Sequence, residues 1–388
     1  MKLTYLSITL LLLLVYPKNT SAQTYNSFYG SVVNNVSATN ILADLTTFEG
    51  FGVKELGSAQ LNNTKNWLVD RYQNLGYTAI EEQAFSVSGN TTYNVIVTKT
   101  GSLYPNTYVI IDAHYDTING PGTNDNGSGT VLLLEMARLF ANVDTEYSIK
   151  FIHFSGEELG LIGSNYYVNN TVNPENLDIK LVLNIDQVGG TNGASNSTIV
   201  CEEDRSNPSG NNVASSAVTQ TLATCIELYS TLNTEISNAY GSDYVPFENN
   251  GEIITGLYEK NETPYSHTAN DLLANMDPTY LFQVTKGALG AALEFAVSAN
   301  PLSMELNNFD GDVTVFPNPT SGNLNIQLTN PSRKNTSVTI YNMIGKSVFS
   351  TQLVNSNNSV DLTNLARGLY LAVIENDSQK TTKKIILN

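Results

Sequence analysis

Four short runs of bulky, largely β-branched residues leave this chain few ways to fold: YVIIDA (108–113), SIKFIHF (148–154), KLVLNI (180–185) and EIITGL (252–257). Each reads as a strand buried on both faces. Helical patterns lie between and around them, at 36–48, 57–75, 129–142, 159–170 and 287–299, and Trp67 is the expected core anchor of the second. Strand and helix in alternation predict an α/β unit, a largely parallel twisted sheet covered by helices.

A second texture begins near residue 310. Residues 310–388 hold 7 Lys/Arg against 5 Asp/Glu, whereas residues 1–309 hold 12 against 31. Short alternating runs follow at 323–328, 337–343, 347–353, 368–376 and 383–388, with a turn signal at 344–346. They predict a small all-β sandwich at 313–388, joined through a linker at 301–312 to a domain at 23–300. The β region has no His and no Cys, so a transition-metal site is expected only in the first domain.

The first residues, MKLTYLSITLLLLLVYPKNTSAQ, have a charged start at Lys2, an apolar run from Leu3 to Val15 and the small-residue exit Thr20-Ser21-Ala22. This is the pattern of an export signal over 1–22, with cleavage after Ala22. No other segment has the roughly 18 continuous apolar residues of a membrane span, so a stable span is not expected. The net charge of −17 argues against nucleic acid and anionic lipid as partners. Export permits a disulfide between the two cysteines, Cys201 and Cys225, without requiring it.

Chemistry concentrates just beyond the carboxyl ends of the four strand runs. His114, Asp116 and Asp125 follow the first, Glu157 and Glu158 the second, Asp186 the third and His267 the fourth. Loops at that edge of a parallel sheet converge on one crevice. The segment DAHYDTINGPGTNDNGSG (112–129) has three acids and a histidine but no Lys or Arg. Crowded carboxylates repel unless a cation stands among them.

Two histidines with several carboxylates and no thiolate suit zinc. The surplus of acids predicts two ions sharing Asp125, which sits in a Gly/Asn-rich turn. Glu157 and Glu158, read as a helix start, should diverge by roughly 100°, one ligating and the other acting as a base. Asp116, two residues beyond His114 in extended chain, is expected to accept the far ring N–H of that imidazole. His153, inside a strand run, reads as a satisfied core residue.

The segments AHYDT…GPGTNDNGSG, FSGEELGLIGS, NIDQVGG and YSHTANDLL, in that order, closely resemble the secreted co-catalytic zinc aminopeptidases of the bacterial leucyl aminopeptidase and aminopeptidase Y type, peptidase family M28. The resemblance runs over roughly residues 30–300. It implies a zinc-exopeptidase-like fold, two Zn²⁺ per subunit and peptide substrates with a free N-terminus. His114 and Asp186 would hold one zinc, Glu158 and His267 the other, and Asp125 would bridge. Glu157 would be the general base, with Asp116 supporting the catalytic set.

The segment GSDYVPF (241–247) resembles the stretch that helps form the substrate pocket, which makes Asp243 and Tyr244 candidate substrate-binding residues. Many relatives carry a His where this chain has Tyr244. A zinc-dependent glutaminyl cyclase working with one metal, or a non-catalytic surface-binding module, are the alternatives.

The tail, with VFPNPTSGNLNIQL and LARGLYLAVIE, resembles the C-terminal sorting domain of type IX secretion in Gram-negative bacteria. That likeness implies export by secretion machinery that reads the domain, with later removal or surface attachment. A carbohydrate- or surface-binding β-module is the alternative for this region.

Overall fold

The computed structural model describes residues 23–239, 241–297, 313–328, 336–342, 346–375 and 380–388. The expected export signal at 1–22 and linker at 301–312 lie outside the described residues. Two compact units divide between Ala296 and Val297.

The first unit is built on β1 (Ile80–Val87), β2 (Asn90–Lys99), β3 (Tyr104–His114), β4 (Tyr147–Phe154), β5 (Asp178–Ile185), β6 (Thr198–Glu203), β7 (Asn233–Asn238) and β8 (Ile254–Glu259). They form one sheet in the order β1-β2-β4-β3-β5-β8-β6-β7. The four runs legible in the sequence are its contiguous centre. β3 is parallel to β4 and β5, and β5 is parallel to β8, so their carboxyl ends share one edge. The flanks mix directions: β1 and β2 form an antiparallel hairpin, and β6 runs antiparallel to β8. The hairpin closes through Ser88 and Gly89, both at positive φ (50° and 85°), which suits the twist of a two-residue turn.

The helices are α1 (Ser27–Val33), α2 (Ala38–Gly50), α3 (Ala59–Asn74), α4 (Gly127–Phe140), α5 (Ile162–Tyr167), α6 (Asn173–Glu175), α7 (Asn212–Tyr229), α8 (Val245–Asn249) and α9 (Pro278–Ala296). Ser37 and Ser58 cap α2 and α3, accepting from the N–H groups of Asn40 and Leu61. α2, α4, α7 and α9 pack together. α5 and α8 contribute Tyr167 and Phe247 to a cluster with Ile110, Ile152 and Val182 of the sheet.

Three expectations need correction. Trp67 is half-buried and packs on Phe51, with ring centroids 5.8 Å apart, while Leu68 and Tyr72 anchor α3 in the core. The helix expected from 159 begins at Ile162, because Gly156 and Gly160 take φ of 77° and 104° and wind the chain into turns first. α9 starts at Pro278, well before its Ala-rich stretch. Cys201 and Cys225 are both buried and unbonded, and Cys225 Sγ accepts from Gln23 Nε2 at 2.8 Å.

His153 of β4 is wholly buried, its Nε2 2.9 Å from the Tyr72 hydroxyl, and burial lowers its pKa to about 3. The folded chain thus keeps it neutral where an unfolded chain protonates near pH 6.5. Stability from this residue is complete above about pH 6.5 and is lost as pH falls toward 3. Between pH 7.5 and 5.0, urea denaturation of the native chain should lose about 2 kcal/mol more than that of His153→Gln. Equal losses would show that His153 does not stay neutral.

The second unit contains β9 (Val313–Phe316), β10 (Asn323–Leu328), β11 (Ser337–Asn342), β12 (Ser347–Gln352), β13 (Asn357–Asp361), β14 (Gly368–Glu375) and β15 (Lys380–Leu387). A three-stranded sheet, β13-β10-β9, and a four-stranded sheet, β12-β11-β14-β15, are antiparallel throughout. Alternate residues from both, including Leu324, Ile326, Val338, Ile340, Ile374 and Ile385, make one core. Among the described residues of the whole chain, no helix is long and apolar enough to cross a membrane.

Candidate metal centre

His114 is the last residue of β3, and Thr130 Oγ1 holds its carbonyl at 2.9 Å. Its Nδ1 lies 3.2 Å from the backbone carbonyl of Asp116, which can only accept, so Nδ1 carries the proton. Nε2 then faces three acids: Asp125 Oδ1 and Asp186 Oδ1 at 3.4 Å each, and Glu157 Oε2 at 3.9 Å. The second imidazole mirrors it. His267 Nε2 lies 3.2 Å from Asp125 Oδ2 and 2.8 Å from Glu158 Oε2. Asp125 thus turns one carboxylate oxygen toward each histidine.

The residues were far apart in sequence, and specific contacts bring their loops together. A Cβ on Gly120 would stand 1.8 Å from the Thr268 carbonyl oxygen, so glycine lets the 114–125 loop pass against the His267 loop. Asp271, four residues past His267, accepts the N–H groups of Asn124 and Asp125 at 2.8 and 3.0 Å. Glu259, at the end of β8, accepts from the Asn124 amide and from the N–H groups of Gly190 and Thr263. Asn126 caps α4 and also donates to the carbonyl of Ile185, tying the α4 start to the end of β5. Ser242 donates to Asp186 Oδ2 at 2.7 Å, and Gln187 Nε2 donates to Asp125 Oδ2 at 3.3 Å.

Sequence reasoning did not single out Asp271, Glu259, Ser242 or Gln187. Asp271, Gln187 and Ser242 had a signal in their place within HTAND, NIDQ and GSDYVPF. Glu259 had none.

Asp116 does something other than the sequence suggested. Its side chain is 3.8 Å from His114 Nδ1, which pairs with the backbone carbonyl instead. Its two oxygens accept the N–H groups of Glu157 and Glu158 at 3.2 and 3.3 Å. It therefore holds the turn that carries both glutamates. Those glutamates lie in that turn and not in a helix, yet they diverge as expected, Glu157 toward His114 and Glu158 toward His267.

Asp243 and Tyr244 are another correction. At 0% and 1% exposure they are buried, with no surface to offer a substrate. Burial together with the nearby Glu157 carboxylate raises the pKa of the Asp243 carboxyl, and a hydrogen bond from Ser164 opposes the rise.

Electrostatics separates the acids. Burial alone would push the Asp125 carboxyl up, but the His114 and His267 imidazoles hold it down to about 2. Burial raises Glu157 and Glu158 to about 8, with neighbouring carboxylates adding to the rise and His114 opposing it. Burial disfavours a charged His114, yet Asp186 and Glu157 outweigh it and draw a second proton onto the ring. Hydrogen bonding to Asp125 raises His267 to about 9. Among the described residues, these acids form ion pairs only with the two imidazoles.

The residues fit a metal. His114, Asp125 and Glu158 each offer a ligand atom, all within 4.8 Å of one another. His114 Nε2, Asp186 Oδ1 and Glu158 Oε1 are buried with no hydrogen-bond partner. A divalent cation would take the place of the protons that the acids draw onto the rings. Imidazole with carboxylate and no thiolate is a zinc-type donor set.

Residues 94–292 match the family model described as peptidase family M28, and residues 314–388 match that of a secretion system C-terminal sorting domain. A probable leucine aminopeptidase of Arthroderma otae is 27% identical over 307 residues, covering 74% of this chain and 79% of its own length. Other curated relatives, named aminopeptidases, are matched over 31% and 38% of their lengths.

The fold is that of the Legionella pneumophila LapA aminopeptidase, with TM-score 0.61, 21% identity, and coverage of 71% of this chain and 78% of that one. A Fimbriiglobus ruber glutaminyl cyclase shares it too, with TM-score 0.55, 15% identity, and coverage of 66% and 95%. The chain belongs to peptidase family M28, a family of peptide hydrolases, and ends in a secretion system sorting domain.

Proposed function

We propose that the chain is an exported aminopeptidase that removes N-terminal residues from peptides and works with two zinc ions per subunit. One observation carries this reading: the Asp125 carboxylate turns Oδ1 to His114 at 3.4 Å and Oδ2 to His267 at 3.2 Å. A carboxylate between two imidazoles, each with a further acid beside it, matches a bridged pair of cation sites. His114, Asp125 and Asp186 would hold one ion, and His267, Asp125 and Glu158 the other.

Bound zinc supplies Lewis acidity, polarising a carbonyl oxygen and making water acidic enough to attack at neutral pH. Glu157 takes and returns the proton at Oε2, being the acid at the centre that no bridged pair needs as a ligand. Asp116 fixes the turn that carries Glu157 and Glu158 through their N–H groups. Ser242 leaves Asp186 one free oxygen by occupying the other. His267, with 52% of its side chain exposed, marks the open side where a peptide end can enter. The acidic surround favours a free amine over a blocked one.

Export follows from the signal pattern at 1–22 together with the sorting domain, which secretion machinery would read.

The reading is tested with a panel of aminoacyl-anilides, their N-acetylated counterparts and an N-terminal Gln peptide. Free amines should be cleaved at least about a hundredfold faster than blocked ones. Equal rates would rule out an aminopeptidase. Ammonia release from the Gln peptide without cleavage would indicate a cyclase.

A further inference from the structure

Away from the histidines, the loop DRSNPSGNN (204–212) links β6 to α7 and meets α8. Asp204 Oδ2, Asn211 Oδ1 and Asn212 Oδ1 are buried there without a hydrogen-bond partner, and Ser206 Oγ and Glu248 Oε2, also buried, have at most each other. Asp204, Asn211 and Glu248 are only 1%, 5% and 4% exposed. Leaving so many polar atoms unsatisfied in one place is costly.

The segments that carry these oxygens are hydrogen-bonded to one another. Ser206 N–H donates to Asp204 Oδ1 at 2.7 Å, and Asn212 Nδ2 donates to the Ser206 carbonyl at 3.0 Å. Asn211 Nδ2 donates to the carbonyls of Glu248 and Glu252 at 3.3 and 2.7 Å. Those donor bonds fix both amides, so their oxygens must be the atoms left over. Burial first, then the Asp204 carboxylate, pushes the Glu248 carboxyl up to about 7, with the Ser206 hydroxyl opposing. The Asn211 amide thus ties the loop to the end of α8 that carries Glu248. Among the described residues no Lys or Arg pairs with either acid, and the adjacent Arg205 is turned to Glu203.

We propose that these five oxygens form a calcium site, distinct in its residues from the His114–His267 centre, that fastens the 204–212 loop to α8. The donors are all oxygen, two of them anionic, with neither imidazole nor thiolate. That chemistry suits a hard cation, and flexible amide and hydroxyl oxygens suit calcium better than the rigid octahedron of magnesium. The site would also act at a distance. α8 begins three residues past Ser242, whose carbonyl accepts from the Val245 N–H at 3.0 Å and whose hydroxyl holds Asp186, so calcium would steady that contact.

The test uses the full chain, zinc-loaded and stripped of calcium, titrated with CaCl₂ or MgCl₂ alone. Elemental analysis should find one calcium per chain in addition to zinc. At millimolar calcium the Tm should rise by about 4 °C or more, with magnesium giving less than half of that. The double variant Asp204→Asn/Glu248→Gln should bind no calcium and show no calcium-dependent rise. Should that variant fail to fold, Asn212→Ala, at a half-buried position, should weaken calcium binding about tenfold or more. The proposal is overturned if the native chain takes up no calcium, if these variants keep its full effect, or if uptake is lost in Glu158→Gln instead.

Discussion

Replacing Glu157 by Gln is expected to lower kcat about a thousandfold, with KM and zinc content unchanged. General acid–base groups contribute roughly 10²–10⁴ in rate, and glutamine keeps the shape of the side chain but cannot carry the proton. The Glu157 carboxylate is the outermost of the acids around His114, at 3.9 Å against 3.4 Å for Asp125 and Asp186. Its backbone stays fixed by Asp116 whatever the side chain. Metal should therefore remain while the proton step fails. Steady-state kinetics on a free aminoacyl-anilide with parallel zinc analysis separates the two. Full rate in the variant would remove Glu157 from the reaction, and loss of zinc would make it a ligand.

Asp125→Ala should have the larger structural consequence. Among the described residues, no other acid stands within ion-pair distance of both imidazoles, so its removal is expected to drop zinc from two ions per chain to at most one and to lower kcat/KM by at least about a thousandfold. The loop itself should persist, because Asp271 holds it through the N–H groups of Asn124 and Asp125, which alanine keeps. Zinc analysis after dialysis reads the first effect, and peptide hydrolysis reads the second. Two ions retained after dialysis would mean that Asp125 does not bridge.

Much of this centre was legible in the sequence because the strands that carry it are bulky runs with little competing pattern. β3, β4, β5 and β8 were each recognisable, and a parallel sheet delivers the residues after its strands to one edge. The flanks were harder. β1 has mostly exposed or half-exposed side chains and β7 none that is fully buried, so neither shows a strand-like apolar pattern. β2 was missed although half of its residues are buried. The turn before α5 was missed because two glycines at positive φ interrupt what otherwise reads as a helix.

The partner of His114 was misread for a related reason. A spacing of two places Asp116 near the ring, but the backbone decides whether its carbonyl or its carboxylate arrives. Asp243 looked like pocket wall from its neighbours in sequence, and only the packing of the molecule shows it buried.

The sequence by itself determined the sheet-forming core, the change to a β-rich tail and the identity of the chemical groups, because these follow from local pattern and residue type. Tertiary structure alone decided which oxygen of Asp125 faces which histidine, and that Asp271, Ser242 and Gln187 hold the acids in place. It also buried side-chain oxygens of the 204–212 loop and α8 away from water. Such contacts join residues tens to hundreds of positions apart, so their distances depend on strand order and loop backbone, which no local pattern records.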